Sequence, residues 1–577
     1  MASCTDLSGA DASSQSEVGA EGAALYNILL GLCENNISFF ENDQSEPGQK
    51  LHQSSLQMQE CLKVLSPKVE ELRTIAPQFD FDEDTPYNGY RSFVTTMDMC
   101  ITYCLKLTRQ VSTNRSSYFF RKAHYVKELE ICAQMMDSLR SIADLNLKLV
   151  TWSQPGKLFA LDKSMSFEEI YVKITEINLH CFYGRCIGFQ FKESLQQVMK
   201  TLAIMLASFS EVYFCSEGSS KYLVDPELRA KRIVQCTIWA SVEFCKAFWF
   251  LGEIGISLII TSAIIYSSVA VNRLIKLEPV PLQIISMTGS TIDIPVPCTS
   301  VGIQPLNVRL IAKLVYEGME EDCVGSPTKT APVPRSTELV FHCHGGGFVA
   351  QSSRSHEMYL REWAILLNCP MVSVDYALAP EAPFPRALED VLYAYCWTLN
   401  NAAQLGSTAD KIIFAGDSAG ANLCLSLAFK CIELGVRPPD GIFLAYAPVL
   451  ISFLPSPSRL LSLLDPILPI GFLSACLRGT SQFKFLADYE EEISIPLEYF
   501  TVKPPADYYL SPILAPDNLL KSLPAVKLLT TEMDPFLDDC VSFAKKMKAM
   551  DHDVSLDVLP GLPHGFLTFA LVRNKQH

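Results

Sequence analysis

The sequence predicts an α/β protein: a doubly wound, mostly parallel sheet preceded by a mainly helical N-terminal domain. Three observations predict it. At 577 residues the chain is too long for a single hydrophobic core. Residues 23 to about 275 carry apolar residues at three- and four-residue spacing, with little Gly or Pro. From Glu338 onward, short and nearly continuous apolar runs alternate with helical ones.

In the N-terminal region, Ile131, Met135, Leu139, Ile142, Leu145 and Leu149 form one helical stripe. Leu195, Val198, Met199, Leu202, Met205 and Leu206 form a second. Both read as core faces of packed amphipathic helices. Residues 1–22 are rich in Ser, Ala, Gly and Asp, lack a signal-peptide core, and are expected to be disordered. The helical domain then runs over 23–317, with a β-rich end from about 276 that includes Val308–Ile311. Residues 318–337, rich in Gly, Pro, Ser, Thr and Glu, read as a linker.

Residues 338–577 form the sheet domain. Its expected strands are Leu339–His344, Met371–Tyr376, Ile412–Gly416, Gly441–Tyr446, Ala525–Thr531 and Val554–Val558. The helices between them are Ser355–Leu367, Phe384–Asn400, Ala419–Leu434 and Pro535–Met550. Residues 452–510 break the rhythm with several Pro and the run Glu490-Glu491-Glu492, and read as a cap or flexible insert.

Composition narrows the function. A net charge of −16 opposes binding to nucleic acid and a polybasic membrane anchor. A neutral substrate remains compatible with it. The 20 Cys are scattered through apolar stretches, which fits reduced, buried thiols of a cytosolic, non-secreted protein. Ile254 to Val271 is uncharged but contains six hydroxyl residues, so it reads as a buried helix, with no transmembrane span. His342-Cys343-His344 is not read as a metal site, because strand alternation turns Cys343 away from the two His. Neither metal nor cofactor is expected.

The chemistry lies in Gly416-Asp417-Ser418-Ala419-Gly420, which follows one strand and opens a helix. This is the G-x-S-x-G nucleophile elbow in the context that gives it meaning, and it specifies the α/β-hydrolase type of sheet. Ser418 is the expected nucleophile. His344-Gly345-Gly346-Gly347 ends the first strand of the sheet domain. The N–H groups of Gly346 and Gly347, with that of Ala419, are the expected oxyanion hole. A serine hydroxyl needs a base oriented by an acid, in the order Ser, Asp or Glu, His. His564 follows the last strand, at the C-terminal edge of the sheet. His552 precedes that strand and reads as a surface residue. Asp534 follows the strand before and is the expected acid, with helix capping as the competing reading. Asp538 and Asp539 are set aside because they lie within the next helix.

These motifs, with Asp375-Tyr376-Ala377-Leu378-Ala379-Pro380-Glu381 and Pro563-His564-Gly565-Phe566, resemble the hormone-sensitive-lipase family of α/β hydrolases. Asn88-Gly89-Tyr90-Arg91-Ser92, Cys181-Phe182-Tyr183-Gly184-Arg185-Cys186, Gly188-Phe189-Gln190-Phe191 and Asp225-Pro226-Glu227-Leu228-Arg229 are similar to the helical domain of its animal branch. The resemblance implies Ser418, Asp534 and His564 as a triad. It implies hydrolysis of diacylglycerol, triacylglycerol, monoacylglycerol, cholesteryl and retinyl esters by a cytosolic protein that moves to lipid droplets. The expected partners are those esters and the droplet surface with its coat proteins; peripheral contact with the cell membrane and a homodimer are compatible. The G-x-S-x-G motif leaves two alternatives: a carboxylesterase for short soluble esters, or a catalytically impaired droplet-binding isoform.

Three departures from the family pattern bear on this. Ala421 stands where the family has Gly, a methyl that either crowds the helix start or is absorbed. The stretch at about 465–503 is short and lacks an Arg-Arg-x-Ser motif; Ser462 reads as a buried turn rather than a kinase site. The chain continues only 13 residues past His564, where the family has a further helix, which is expected to loosen the His564 loop or mark a truncated isoform.

Overall fold

The computed structural model describes residues 12–159, 167–214, 221–238, 240–251, 268–319, 331–452, 454–480 and 506–568. Its centre is an eight-stranded sheet. The strands of the chain are β1 (Val271–Leu277), β2 (Leu282–Ile285), β3 (Thr291–Ile294), β4 (Leu306–Ala312), β5 (Ser336–Cys343), β6 (Met371–Asp375), β7 (Ser407–Asp417), β8 (Gly441–Ala445), β9 (Ala525–Thr531) and β10 (Val554–Leu559). The order is β1-β4-β6-β5-β7-β8-β9-β10, with β2 and β3 forming a separate hairpin. From β6 to β10 all pairings are parallel, and β4 and β1 extend the β6 edge antiparallel.

The helices between the parallel strands are Glu357–Leu367, Arg386–Asn400, Ala419–Leu434 and Leu537–Lys548. They start up to two residues later than sequence periodicity indicates. His344, Tyr376 and Tyr446 fall just beyond their strands. These residues therefore sit at the C-terminal edge of the sheet, where ligands of open α/β sheets bind.

Two boundaries differ from expectation. The helix Ala12–Phe40 starts inside the segment expected to be disordered. The sheet begins at Val271, so β1 and β4, from the β-rich end of the N-terminal region, pair into the same sheet as the strands that follow Glu338. Composition marked the 318–337 stretch as a joint, but strand pairing of β4 with β6 reaches across it. The central residues of that stretch, 320–330, lie outside the described residues, as do most of 254–271, the Glu490–Glu492 run and residues 569–577. The part of the 452–510 insert that is described is packed: Ile470–Thr480 is a largely buried helix, and Ser462 is buried in a turn.

The N-terminal stripes behave as amphipathic faces should. Met135, Leu139, Ile142, Leu145 and Leu149 are buried in the helix Lys122–Trp152, and Leu195, Met199 and Leu206 in Glu193–Phe214. Ile131, Val198, Leu202 and Met205 are half-buried at the margins.

This helical layer is joined to the sheet domain at a buried carboxylate. Asn88 caps the helix Gly89–Asn114 by accepting from the Tyr90 and Arg91 N–H groups. The Gly89 N–H instead donates to Asp538 Oδ1 at 2.7 Å, and the Ser458 N–H donates to Asp538 Oδ2 at 2.7 Å. A Cβ on Gly89 would lie 2.2 Å from the Ser458 nitrogen and 2.4 Å from Asp538 Oδ2. Because the nearest obstacle is backbone, Gly89→Ala should destabilise the protein by about 1–3 kcal/mol. A lowered thermal unfolding midpoint checks this; an unchanged midpoint would mean the seam is not tightly packed.

Candidate active site

The elbow is built where β7 hands over to the helix Ala419–Leu434. Ser418 adopts φ 52° and ψ −121°, a strained conformation for a residue with a side chain, and its N–H donates to the Ala445 carbonyl at 2.9 Å. The turn lifts Ser418 to the C-terminal edge of the sheet. His564 enters from the loop after β10, and Asp534 from the turn after β9. Ser418 Oγ lies 3.0 Å from His564 Nε2, and His564 Nδ1 lies 3.0 Å from Asp534 Oδ2. Asp534 is fully buried, while Ser418 and His564 keep 8% and 7% exposure, so the chain of groups has one shielded end and one accessible end.

Asp534 serves both readings made of it. Its Oδ1 accepts the Phe536 N–H at 2.7 Å, as a turn-capping residue does, and Oδ2 is left to hold the imidazole. His564 is packed edge-on by Tyr446 and Phe536, with ring centroids 4.7 and 5.5 Å away. Burial by itself disfavours the charged imidazole. The charge and hydrogen bond of Asp534, with Asp465 and Asp417 behind them, outweigh burial and raise the His564 pKa above its ordinary value.

The loop after β5 brings His344, Gly345, Gly346 and Gly347 beside the elbow. Among the described residues, the N–H groups of Gly346, Gly347 and Ala419 donate to no protein acceptor, so they remain available for an oxyanion. The carbonyl of Gly346 accepts from the Val349 and Ala350 N–H groups, which fixes the loop. Helix packing from both parts of the chain reaches this loop: Trp249 of the N-terminal domain and Cys476 of the helix Ile470–Thr480 stand over the Gly347 backbone.

Sequence reasoning missed the network that anchors this loop. Asp417, an unassigned position of the elbow motif, accepts the Gly345 N–H at 2.9 Å and the Tyr359 hydroxyl at 3.0 Å through Oδ1, with His356 Nε2 3.2 Å away. Burial alone would raise the Asp417 carboxyl. His356, through charge and hydrogen bond, together with His342 and Tyr359, reverses this and holds it well below the usual carboxylate range. His356 and Tyr359 lie about 60 residues upstream and carry no local motif that could have revealed them.

The other singled-out residues are placed as follows. His342 is fully buried between Ser373 and Tyr359, 2.8 Å from each, and burial pushes its pKa down to about 3. His344 stacks on Tyr376 at 4.2 Å, and burial lowers it to about 4. Both are structural, neutral rings. His552 is half-buried rather than fully exposed, with Nε2 2.9 Å from the Leu523 carbonyl, at the N-terminal end of β10 and away from Ser418. Asp538 and Asp539 are buried beneath the site; Asp539 pairs with Arg459 at 2.9 Å and accepts the Val449 and Leu450 N–H groups. Ala421 is fully buried, and the Ser418–His564 contact is intact beside it, so the extra methyl is absorbed.

Comparison with known proteins gives the following. The family model of the hormone-sensitive lipase N-terminus matches residues 25–320, and that of the alpha/beta hydrolase fold matches residues 340–568. The hormone-sensitive lipase of Ictidomys tridecemlineatus is 31% identical, with 94% of this chain and 94% of that protein covered. The hormone-sensitive lipase of Homo sapiens is 31% identical, with 94% of this chain and 67% of that protein covered. Among solved structures, an esterase of Pyrobaculum calidifontis is 25% identical over 58% of this chain and 88% of its own, with a TM-score of 0.42.

Proposed function

The chain belongs to the hormone-sensitive lipase family, and from that membership and its site we infer that it hydrolyses the carboxylic ester bonds of neutral lipids. The observation that supports a catalytic reading of the site is the unbroken series Ser418 Oγ, His564 and Asp534, at 3.0 Å in both steps.

The mechanism follows from which atom can hold a proton. Asp534 keeps the Nδ1–H tautomer of His564, so Nε2 is free to accept. Ser418 Oγ attacks the ester carbonyl carbon while its proton passes to Nε2. The Gly346, Gly347 and Ala419 N–H groups receive the oxyanion, and the start of the helix Ala419–Leu434 adds its positive end. Removing one such donor costs about 3–4 kcal/mol in comparable sites. Collapse breaks the ester C–O bond, and the imidazolium returns its proton to the leaving alcohol. His564 then deprotonates a water that attacks the acyl–Ser418 ester and releases the fatty acid.

The substrate class proposed is diacylglycerol, triacylglycerol, monoacylglycerol, cholesteryl and retinyl esters, met at the surface of a lipid droplet. Among the described residues no helix is long and apolar enough to cross a membrane, which is compatible with peripheral contact with such a surface. The test is hydrolysis by the purified protein of emulsified long-chain diacylglycerol, cholesteryl ester and a short soluble ester. Higher kcat/KM on the long-chain esters, rising once an emulsion forms, is expected. Preference for the short soluble ester would make the protein a carboxylesterase instead.

A further inference from the structure

A second buried carboxylate, in a turn that packs into the cluster around the His564 loop, is left unused by the mechanism above. Asp465 belongs to the turn between Leu461–Leu463 and the helix Ile470–Thr480. It is 2% exposed. Its Oδ1 accepts the Ile467 and Leu468 N–H groups at 2.7 and 3.2 Å, whereas its Oδ2 is buried with no hydrogen-bond partner. Leaving a carboxylate oxygen in that state is costly unless a positive charge nearby makes use of it.

The turn is held in place from the N-terminal domain. The Tyr183 hydroxyl lies 3.0 Å from the Leu463 carbonyl and 3.3 Å from that of Asp465, and Gln190 Nε2 donates to the Leu464 carbonyl at 3.0 Å. Ile467, two residues on, packs in the same cluster as Phe191, Tyr446 and Phe566, the residues around the His564 loop. That loop is itself braced by the Lys192 N–H, which donates to the Gly561 carbonyl at 3.1 Å. Both sides of His564 are thus fixed by one stretch of the N-terminal domain, 183–192.

We propose that Asp465 is a positioning residue that acts through His564: its unpartnered carboxylate oxygen stabilises the imidazolium formed when Ser418 gives up its proton, and Tyr183 and Gln190 of the N-terminal domain hold its turn in place. The inference rests on the reading of His564 as general base. Three titratable groups act on Asp465 or feel it: His564, Asp534 and Tyr183. Only His564 gains a positive charge during the reaction, so the field of Asp465 favours that state, while it repels the ionised Asp534 carboxylate. Burial pushes the Asp465 carboxyl up to about 6, with its two N–H donors and His564 opposing the rise and Asp534 adding to it. It is therefore charged at neutral pH and loses its charge in the mildly acidic range.

The experiment is the pH dependence of kcat/KM for Asp465→Asn and Asp465→Ser, both neutral and both able to accept the Ile467 and Leu468 N–H groups, with Asp465→Glu as the charge-restoring variant. Neutralisation should lower kcat about tenfold and move the acid limb of kcat/KM down by about one pH unit, because an imidazolium deprived of a nearby anion loses its proton more readily. Asp465→Glu should return the limb toward that of the parent. A residue that only supported the turn would lower activity without moving the limb, and that result would overturn the proposal. Ser418→Ala run in parallel separates the two levels. If that variant keeps parental activity, the reading of the site fails. If it is inactive while the neutral Asp465 variants keep the parental limb, only the role of Asp465 fails.

Discussion

Ser418→Ala should reduce kcat for ester hydrolysis by about 10⁶-fold, as removal of the nucleophile does in serine hydrolases with a coupled base. The loss is this large because Ser418, His564 and Asp534 act as one unit: without Oγ, His564 has no proton to take, and Asp534 orients a base with no task. Residual catalysis of about 10³–10⁴ over water would remain from the oxyanion donors. The folded state should not suffer. The substitution keeps the backbone turn at φ 52° and the bond from the residue-418 N–H to the Ala445 carbonyl. Thermal unfolding should thus match the parent, which separates loss of chemistry from loss of structure. A fluorophosphonate should label the parent at Ser418 and leave the variant unlabelled. Equal hydrolysis rates in the two proteins would refute the assignment.

The second large effect is expected at Gly420. A Cβ there would sit 2.0 Å from the Cys343 carbonyl oxygen and 2.6 Å from that of His344. Both obstacles are main chain of the central strand and its exit, so no side-chain rotation relieves them. Gly420→Ala must push the helix Ala419–Leu434 away from β5. It should destabilise the protein by about 3 kcal/mol, the upper part of the overpacking range. Activity should fall further than stability predicts, because the displaced helix start carries Ser418 and the Ala419 N–H while the loop after β5 carries Gly346 and Gly347. The two halves of the oxyanion hole would move apart. The check is kcat measured well below the unfolding temperature of the variant; parental kcat there would show that the two halves are not coupled through Gly420. The neighbouring position makes the contrast: Ala421 carries its methyl in full burial with no disturbance of the site.

These two predictions come from positions that the sequence alone had marked. The triad was readable because each member lies in its own short segment, tied to the strand just before it, and the chain order restricted the choice of His and Asp. The anchoring groups were not readable in the same way. Asp417 was in view within the elbow, but its partners Tyr359 and His356 lie on a different helix or its cap. Asp538 looked like an ordinary helix residue, and its carboxylate is the acceptor for an N–H that stands 449 positions earlier in the chain.

By itself, the sequence determined the alternation of strand and helix, the helical N-terminal layer, and the identity of Ser418, Asp534 and His564 as candidates. All of these depend on residues within a few positions of one another, where periodicity, turn chemistry and strand order act directly. Tertiary structure decided what depends on distant contacts. It moved the start of the sheet from beyond residue 317 to Val271, because edge pairing of β4 with β6 is a backbone interaction to which composition is blind. It turned Asp417 into the anchor of the oxyanion loop, and it put the turn of Asp465 under the hold of Tyr183 and Gln190. A buried charge takes its meaning from the groups that surround it in space, and those are assembled only when the chain has folded.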